Sequence, residues 1–505
     1  MTSARFAMSA SSETKFNLLR DPWIPVLDAD GATRRVSLRE AFERAGEIRD
    51  LACGPAERVS LLRLFVCIAH ASLPTPRRDD SPEWSAFAEN LASAALAYLD
   101  RPDIAPHFDL FGEGPRFLQL PTKKKDSMSV SKLFFHLASG NNPTHNDHQG
   151  GEERSIPPAE LALGLLAFQN FSPLLGRGFK GRGPCVEGNA AHAFQCGPVL
   201  AATICSNCLS LDTVEALYPE EKLGRPVWEM PPAAPFSPKK PETRNATHSY
   251  LGRLVPLARL VWFVDRFSVV FENGPEFPNV PALREPSACV VRRMKKKEEE
   301  YGLLPLRLGR AVWRDLPAIT VTRFTEGCPI LRRGDSSDRE IFVGGLVTDF
   351  KAKIEDSVGS FFTGKLAVPA AMFADEDEAR DARNDYRLAI QAADAWSVSV
   401  WKALGRYHES LKTDPGLLSG FRTRADADFW SLAELALPDL FELLRSGDYP
   451  EQPLDNPYAK SAWHRALREA ANRAYRNHAP RANARQLAAF AAGLRALWPK
   501  NPAKS

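Results

Sequence analysis

Residues 359–365, GSFFTGK, fit G-x-x-x-x-G-K, a loop whose backbone N–H groups and lysine grip nucleotide phosphates. The eighth position is Leu366, where a serine or threonine hydroxyl would have to hold magnesium, and the loop has no further glycines to turn its N–H groups inward. The stretch therefore reads as a linker, with a nucleotide-hydrolysing enzyme built on Lys365 kept as an alternative. Cys205-Ser206-Asn207-Cys208, with Cys185 and Cys196 upstream, suggests thiolate ligation of zinc. A convincing zinc ribbon needs a second CxxC, and ATICSNCLSL reads as a helix that buries both sulfurs as small apolar groups, so core cysteines are the first reading and zinc the second. The ten histidines are scattered, and no H-E-x-x-H, G-x-S-x-G, His-Asp dipeptide or carboxylate pair stands out. Catalysis has no visible home, and no metal or cofactor is expected.

Binding chemistry is better represented. Residues 176–183, GRGFKGRG, set three cationic side chains among four glycines. Glycine lets backbone approach a groove floor while arginine and lysine neutralise phosphate. Lys123-Lys124-Lys125 and Arg292-Arg293-Met294-Lys295-Lys296-Lys297 are further basic runs, the second followed at once by three glutamates. Any of the three could equally be a solvated surface.

These groups must be carried on a scaffold of 505 residues, long enough for two or three domains. A formal charge of +3 means that nucleic acid would have to bind local patches and not a global field. Eight cysteines are too sparse for a disulfide framework, and no run approaches the ~20 apolar residues of a membrane span. A cytoplasmic protein is expected, with no membrane partner.

Residues 1–15 read as a flexible leader, with Met8 an alternative start. Pro22 and Pro25 bracket a short apolar run suited to a short or edge strand. Asp28–Gly31 supplies a turn before a strand at 34–36, and Ser37 with Glu40 makes a capping box. Apolar spacing predicts a core helix over 56–72 and a second after Pro157 or Pro158. Residues 229–245 are Pro-rich and read as an exposed insertion. From about 254 to 347, runs such as VWFVDRFSVVF and AITVTRF suggest strands. After Pro369, four amphipathic stretches near 375–410, 425–446, 459–478 and 483–497 predict an antiparallel bundle. The fold class is α+β: a large mixed α/β domain over 16–366, then a four-helix bundle over 367–505.

Five segments together resemble one family. NLLRDPWIPV at 17–26, DLFGEGPRFLQ at 109–119, SGNNPT at 139–144, GRGFKGRGP at 176–184 and VGGL at 343–346 are similar, in order, to landmarks of the CasA family, the large subunits of type I-E CRISPR Cascade. The likeness covers about 16–500. It implies a subunit without catalysis of its own, bound to guide RNA and to backbone, handle-binding and small subunits. Such a subunit reads a protospacer-adjacent motif on double-stranded DNA through the minor groove, helps open the duplex and recruits a helicase–nuclease. A scaffold that binds only guide RNA and neighbouring subunits is the alternative.

Carried over position by position, the resemblance implies that Gly176, Arg177, Gly178, Phe179 and Lys180 enter the minor groove, joined by Arg266. Asp349 and Phe350 fall where relatives carry an asparagine and a duplex-wedging glutamine. Asn141 and Asn142 fall in a loop that grips the RNA handle or a neighbouring subunit, and Lys295, Lys296 and Lys297 near a pair that guides the displaced strand. Arg177 stands where the family pattern has glycine, and arginine favours narrow, A·T-rich grooves. Phe350 would lose the glutamine's hydrogen bonds but suits a wedge, since apolar side chains unstack base steps.

Overall fold

Pro25 sits not on an edge but in the middle of a three-stranded sheet. β1 (Ile24–Asp28) lies between β2 (Thr33–Val36) and β3 (Ile48–Leu51), antiparallel to both. The missing N–H is tolerated because this position works as an acceptor: Ala52 N–H donates to Pro25 O at 3.0 Å. Gly31 (φ +85°) makes the β1–β2 turn, its N–H donating to Asp28 O at 3.0 Å. Ser37 Oγ caps the next helix by accepting from Glu40 N–H at 3.1 Å. The capping box is only half made, because the Glu40 carboxylate turns to Arg34 at 3.1 Å.

The computed structural model describes residues 15–124, 126–137, 155–173, 179–295, 298–307, 309–334, 337–348, 360–373 and 376–499. The chain divides into two compact units. The first comprises residues 1–306, 322–335 and 340–366, the second 307–321, 336–339 and 367–505.

In the first unit, the helices Pro55–Ser72 and Pro158–Phe171 are buried on nearly every side, as helices apolar all round must be. Short sheets surround them. β6 (Arg259–Phe263) and β7 (Ser268–Asn273) form a hairpin, and β4 (Met128–Ser129) pairs with β7, which is thus the central strand. β5 (His192–Cys196) pairs with β10 (Arg339–Val347), which pairs in turn with β11 (Ser360–Val368). β8 (Val290–Lys295) and β9 (Glu298–Leu303) form a separate hairpin. Two expectations fail here. Residues 320–324 are irregular, not a strand, and residues 241–245 open the helix Pro241–His248 instead of an exposed insertion. Asn245 draws that helix inward, its amide pairing with both the N–H and the C=O of Arg225 at 2.8 and 2.9 Å.

The second unit is helical. The helices are Glu376–Leu411, Pro415–Glu434, Leu437–Ser446, Ala462–His478 and Ala484–Ala496. The stretch expected near 425–446 starts earlier, at Pro415, and divides at Leu435–Ala436, with Pro438 in the first turn of the second piece. Trp313, Trp396 and Trp463 are fully buried in this unit. Among the described residues, no helix is long and apolar enough to cross a membrane.

Candidate nucleic-acid interface

The β6–β7 hairpin organises what is described of the predicted DNA-binding residues. At its open end, Arg259 N–H donates to Gln169 Oε1 and Arg259 O accepts from Gln169 Nε2, both at 2.9 Å. The Arg259 guanidinium is buried and donates to Lys180 O (2.7 Å), Gly181 O (2.6 Å) and Pro173 O (3.2 Å). It therefore touches the chain on both sides of residues 174–178. Desolvation pulls its pKa down to about 10, and among the described residues no carboxylate compensates it. Lys180 N–H donates to Asn273 Oδ1 at 2.8 Å, so Lys180 is fixed through both backbone groups while its side chain faces solvent.

Phe179 lies between two cations, with Lys124 Nζ 5.7 Å and the Arg259 guanidinium carbon 5.8 Å from its ring centre. Two basic features far apart in sequence, 123–125 and 176–183, thus meet at the described residues Lys124 and Phe179–Lys180. Two of the loop's four glycines serve the backbone. Gly181 has φ +68°, and a Cβ on Gly183 would lie 2.4 Å from Asn170 O.

The hairpin tip carries Arg266. Asp265 Oδ1 accepts from Phe267 N–H (2.8 Å), Ser268 N–H (2.8 Å) and Ser268 Oγ (2.9 Å), which makes the turn rigid. Val264 (58% exposed) and Phe267 (39%) flank the arginine with apolar surface. Below the tip, Arg116 lies 3.9 Å over the Trp262 ring and donates to Phe263 O and Gly112 O. Four further residues of β6, about 13 Å of strand, and two residues of the turn separate Arg259 from Arg266. The two predicted groove elements therefore mark opposite ends of one hairpin.

Asn141, Asn142, Gly176, Arg177, Gly178, Lys296, Lys297, Asp349 and Phe350 lie outside the described residues, and Lys295 is described only in its backbone, at the end of β8. The stem leading to Asp349 and Phe350 is defined. Thr348 N–H and Oγ1 both donate to Asn189 Oδ1 at 3.1 Å, and Asn189 Nδ2 returns to Thr348 O at 3.2 Å. Gly345 packs where a Cβ would lie 2.8 Å from Ala190 O. In the β8–β9 hairpin, Met294 and Arg293 stand opposite Glu299 and Glu300, and Arg292 pairs with Glu299 at 3.0 Å, so this basic run is partly compensated by its own hairpin.

The phosphate-loop reading fails on geometry. Gly364 and Lys365 belong to β11, whose extended backbone cannot cradle phosphate, and Lys365 Nζ is engaged by Asp50 (3.2 Å) and Glu340. Cys205 and Cys208 lie together near Arg333, apart from Cys185 and Cys196. Cys185 Sγ donates to Asn170 Oδ1, Cys208 Sγ to Ile204 O, and Cys196 lies by Arg58. Among the described residues, no group of three or more His, Cys, Asp or Glu side chains could hold a metal ion.

Sequence reasoning missed Arg259, Gln169, Asn273 and the Arg116–Trp262 stack. An arginine opening RLVWF carries no signal that it is buried, and the contacts join residues far apart in the chain.

Residues 17–474 match the family of CRISPR-associated protein Cse1. A CasA/Cse1 protein of Thermus thermophilus is 33% identical over 345 residues, which span 66% of this chain and 65% of that relative. The crystal structure of Thermus thermophilus CasA superposes with a TM-score of 0.71 at 22% identity, covering 96% of this chain and 98% of that one. Thermobifida fusca Cse1 gives 0.69 at 19% identity over 96% and 97%. A chain from a CRISPR RNA-guided surveillance complex gives 0.69 at 18% over 96% and 99%.

Proposed function

The chain belongs to the CRISPR-associated Cse1 family, and from that premise we propose that it is the large, non-catalytic subunit of a type I-E RNA-guided surveillance complex. In this reading it recognises a protospacer-adjacent motif on double-stranded DNA, helps open the adjacent base pairs for guide RNA pairing, and recruits a helicase–nuclease. Its partners are guide RNA, target DNA and the neighbouring subunits of the complex. Support comes from a structural neighbour that was itself solved within such a complex.

The observation that carries the DNA-reading role is the β6–β7 hairpin, with a rigid Arg266 tip at one end and the Phe179–Lys180 arm at the other. A turn already fixed by Asp265 loses little backbone freedom on entering a groove. Arg266, with Val264 and Phe267 against the sugars, would track a narrow minor groove, while Lys180 and Lys124 would meet phosphates. Asp349 and Phe350, on the stem fixed by Asn189, would complete the reading. Phe350 would wedge between base steps at an unstacking cost of about 1–2 kcal/mol, and Asp349 would accept from a guanine amino group.

The deciding experiment is binding of the reconstituted complex to duplexes that carry a randomised motif beside a matched target. Enrichment of a short motif is expected, and Arg266→Ala is expected to weaken binding of the enriched duplex while the complex still assembles. Equal binding of every motif would reduce the subunit to a scaffold for guide RNA and its neighbours.

A further inference from the structure

We propose that Lys124, Phe179 and Lys180 form one contact surface for duplex phosphates, and that buried Arg259 is the positioning residue that assembles it. The inference rests on the DNA-binding reading above and adds residues to it.

The surface is composite. Lys123, Lys124 and Lys180 are exposed, and among the described residues none of the three pairs with a carboxylate. Lys124 is tied through its backbone, its N–H donating to Thr122 Oγ1 and Glu272 Oε1, both at 3.1 Å. Glu272 lies on β7, the strand that also presents Asn273 to Lys180. One short strand therefore anchors both lysines, and the Phe179 ring fills the space between Lys124 and Arg259. Cations held side by side repel, so the arrangement favours a ligand with repeated negative charge at fixed spacing. A duplex backbone has that chemistry, and lysine meets it as a point charge without demanding a base sequence.

Arg259 has a different task. A buried guanidinium without a carboxylate is costly, and here its two terminal nitrogens donate to the carbonyls of Pro173, Lys180, Gly181 and Ala258 while Nε has no partner among the described residues. The peptides after Lys180 and Gly181 are planar, so drawing their oxygens inward fixes the orientation of this part of the chain. Lys180 is thereby held, exposed, next in the chain to Phe179, whose ring Lys124 covers. No side chain shorter or less forked reaches three carbonyls at once.

A double-mutant cycle in the reconstituted complex tests this. Lys124→Ser with Lys180→Ser is expected to lower duplex affinity about tenfold near 0.1 M salt and to flatten the salt dependence by about two counterions, with motif preference unchanged. Arg259→Lys keeps the charge but cannot hold every carbonyl. It is expected to lower affinity about threefold in the wild-type background and to have no further effect once the two lysines are gone. Asn273→Ala, which releases the Lys180 N–H, follows the same cycle and decides the matter if Arg259→Lys fails to assemble. An equal loss in both backgrounds would make Arg259 merely structural and overturn the proposal. So would unchanged affinity and salt slope in the lysine variant, although motif preference would then survive and with it the DNA-reading role. Loss of motif preference in the unmutated complex would instead refute that role.

Discussion

Two clusters of buried arginine in the first unit solve the same physical problem in opposite ways. Arg63 and Arg253 share the carboxylate of Glu285, with Arg253 at 2.7 Å, and donate further to Leu254 O, Arg253 O, Ser287 Oγ and Thr247 O. Among the described residues, Arg259 has no carboxylate and donates to backbone carbonyls. The first cluster is buried throughout, and its two guanidiniums share one carboxylate, which offsets one of their two charges. The second leaves a positive charge uncompensated directly beneath an exposed basic arm. Carbonyl-held arginines also occur away from the basic arm, as at Arg284, so it is the exposed lysines beside Arg259 that set the second cluster apart.

The contrast breaks most visibly at Glu285. Glu285→Ala would leave two guanidiniums buried without a counter-charge, at a cost of about 3–5 kcal/mol. Urea unfolding should show this as a large fall in the midpoint, well beyond that of Arg259→Lys. If the two variants unfold alike, the distinction between the two clusters is lost.

Acid sharpens the same comparison. His192 joins the first cluster: its Nε2 donates to Cys185 O at 2.9 Å, so Nδ1, 2.8 Å from Ser287 Oγ, must be the acceptor. Burial, helped by the Arg63 charge, pulls its pKa from the ordinary 6.5 down to about 4. Between those values the unfolded chain takes up a proton that the folded one refuses. Stability therefore falls as pH drops through that window, by up to about 3 kcal/mol. Burial opposes ionisation of Glu285, but Arg63 and Arg253 more than offset it and hold the carboxyl below its ordinary value, so its contribution is lost only at lower pH still. Urea titrations at pH 7 and pH 5 should show a steeper loss for the native protein than for His192→Gln. Equal losses would place His192 outside the cluster's electrostatics.

Much of this scaffold is written locally. The Ser37 cap, the Gly31 turn and the helices Pro55–Ser72 and Pro158–Phe171 follow from capping chemistry and apolar spacing. What could not be read depends on arginines reaching across the fold. Residues 320–324 have the β-branched pattern of a strand. Yet Arg332 takes Thr322 O and Arg284 takes Phe324 O at 2.6 Å, so side chains satisfy carbonyls that a neighbouring strand would otherwise have bonded. The binding arm shows the same limit. Its glycines and cations are legible at 176–183, but Arg259, Gln169 and Asn273, which hold it, come from distant stretches with ordinary strand and helix patterns. The glycine–lysine stretch ending at Lys365 is the converse case, a local motif that tertiary structure overrides by placing its last residues in β11.

That override supplies the smallest effect. Lys365 is 44% exposed and is shared by Asp50 and Glu340, so it is a surface ion pair and neither a buried charge nor a presented one. Such pairs contribute about 0–1 kcal/mol, because solvent screens them and both side chains lose freedom. Lys365→Met should therefore shift the urea midpoint only slightly, leave duplex binding by the complex unchanged, and reveal no nucleotide affinity in the native chain by calorimetry. A loss as large as that of Glu285→Ala would mean that exposed pairs here carry the stability assigned to the first cluster. Calorimetric binding of ATP that Lys365→Met abolishes would return the strand to phosphate chemistry, against the ion pairs that now occupy its only ammonium group.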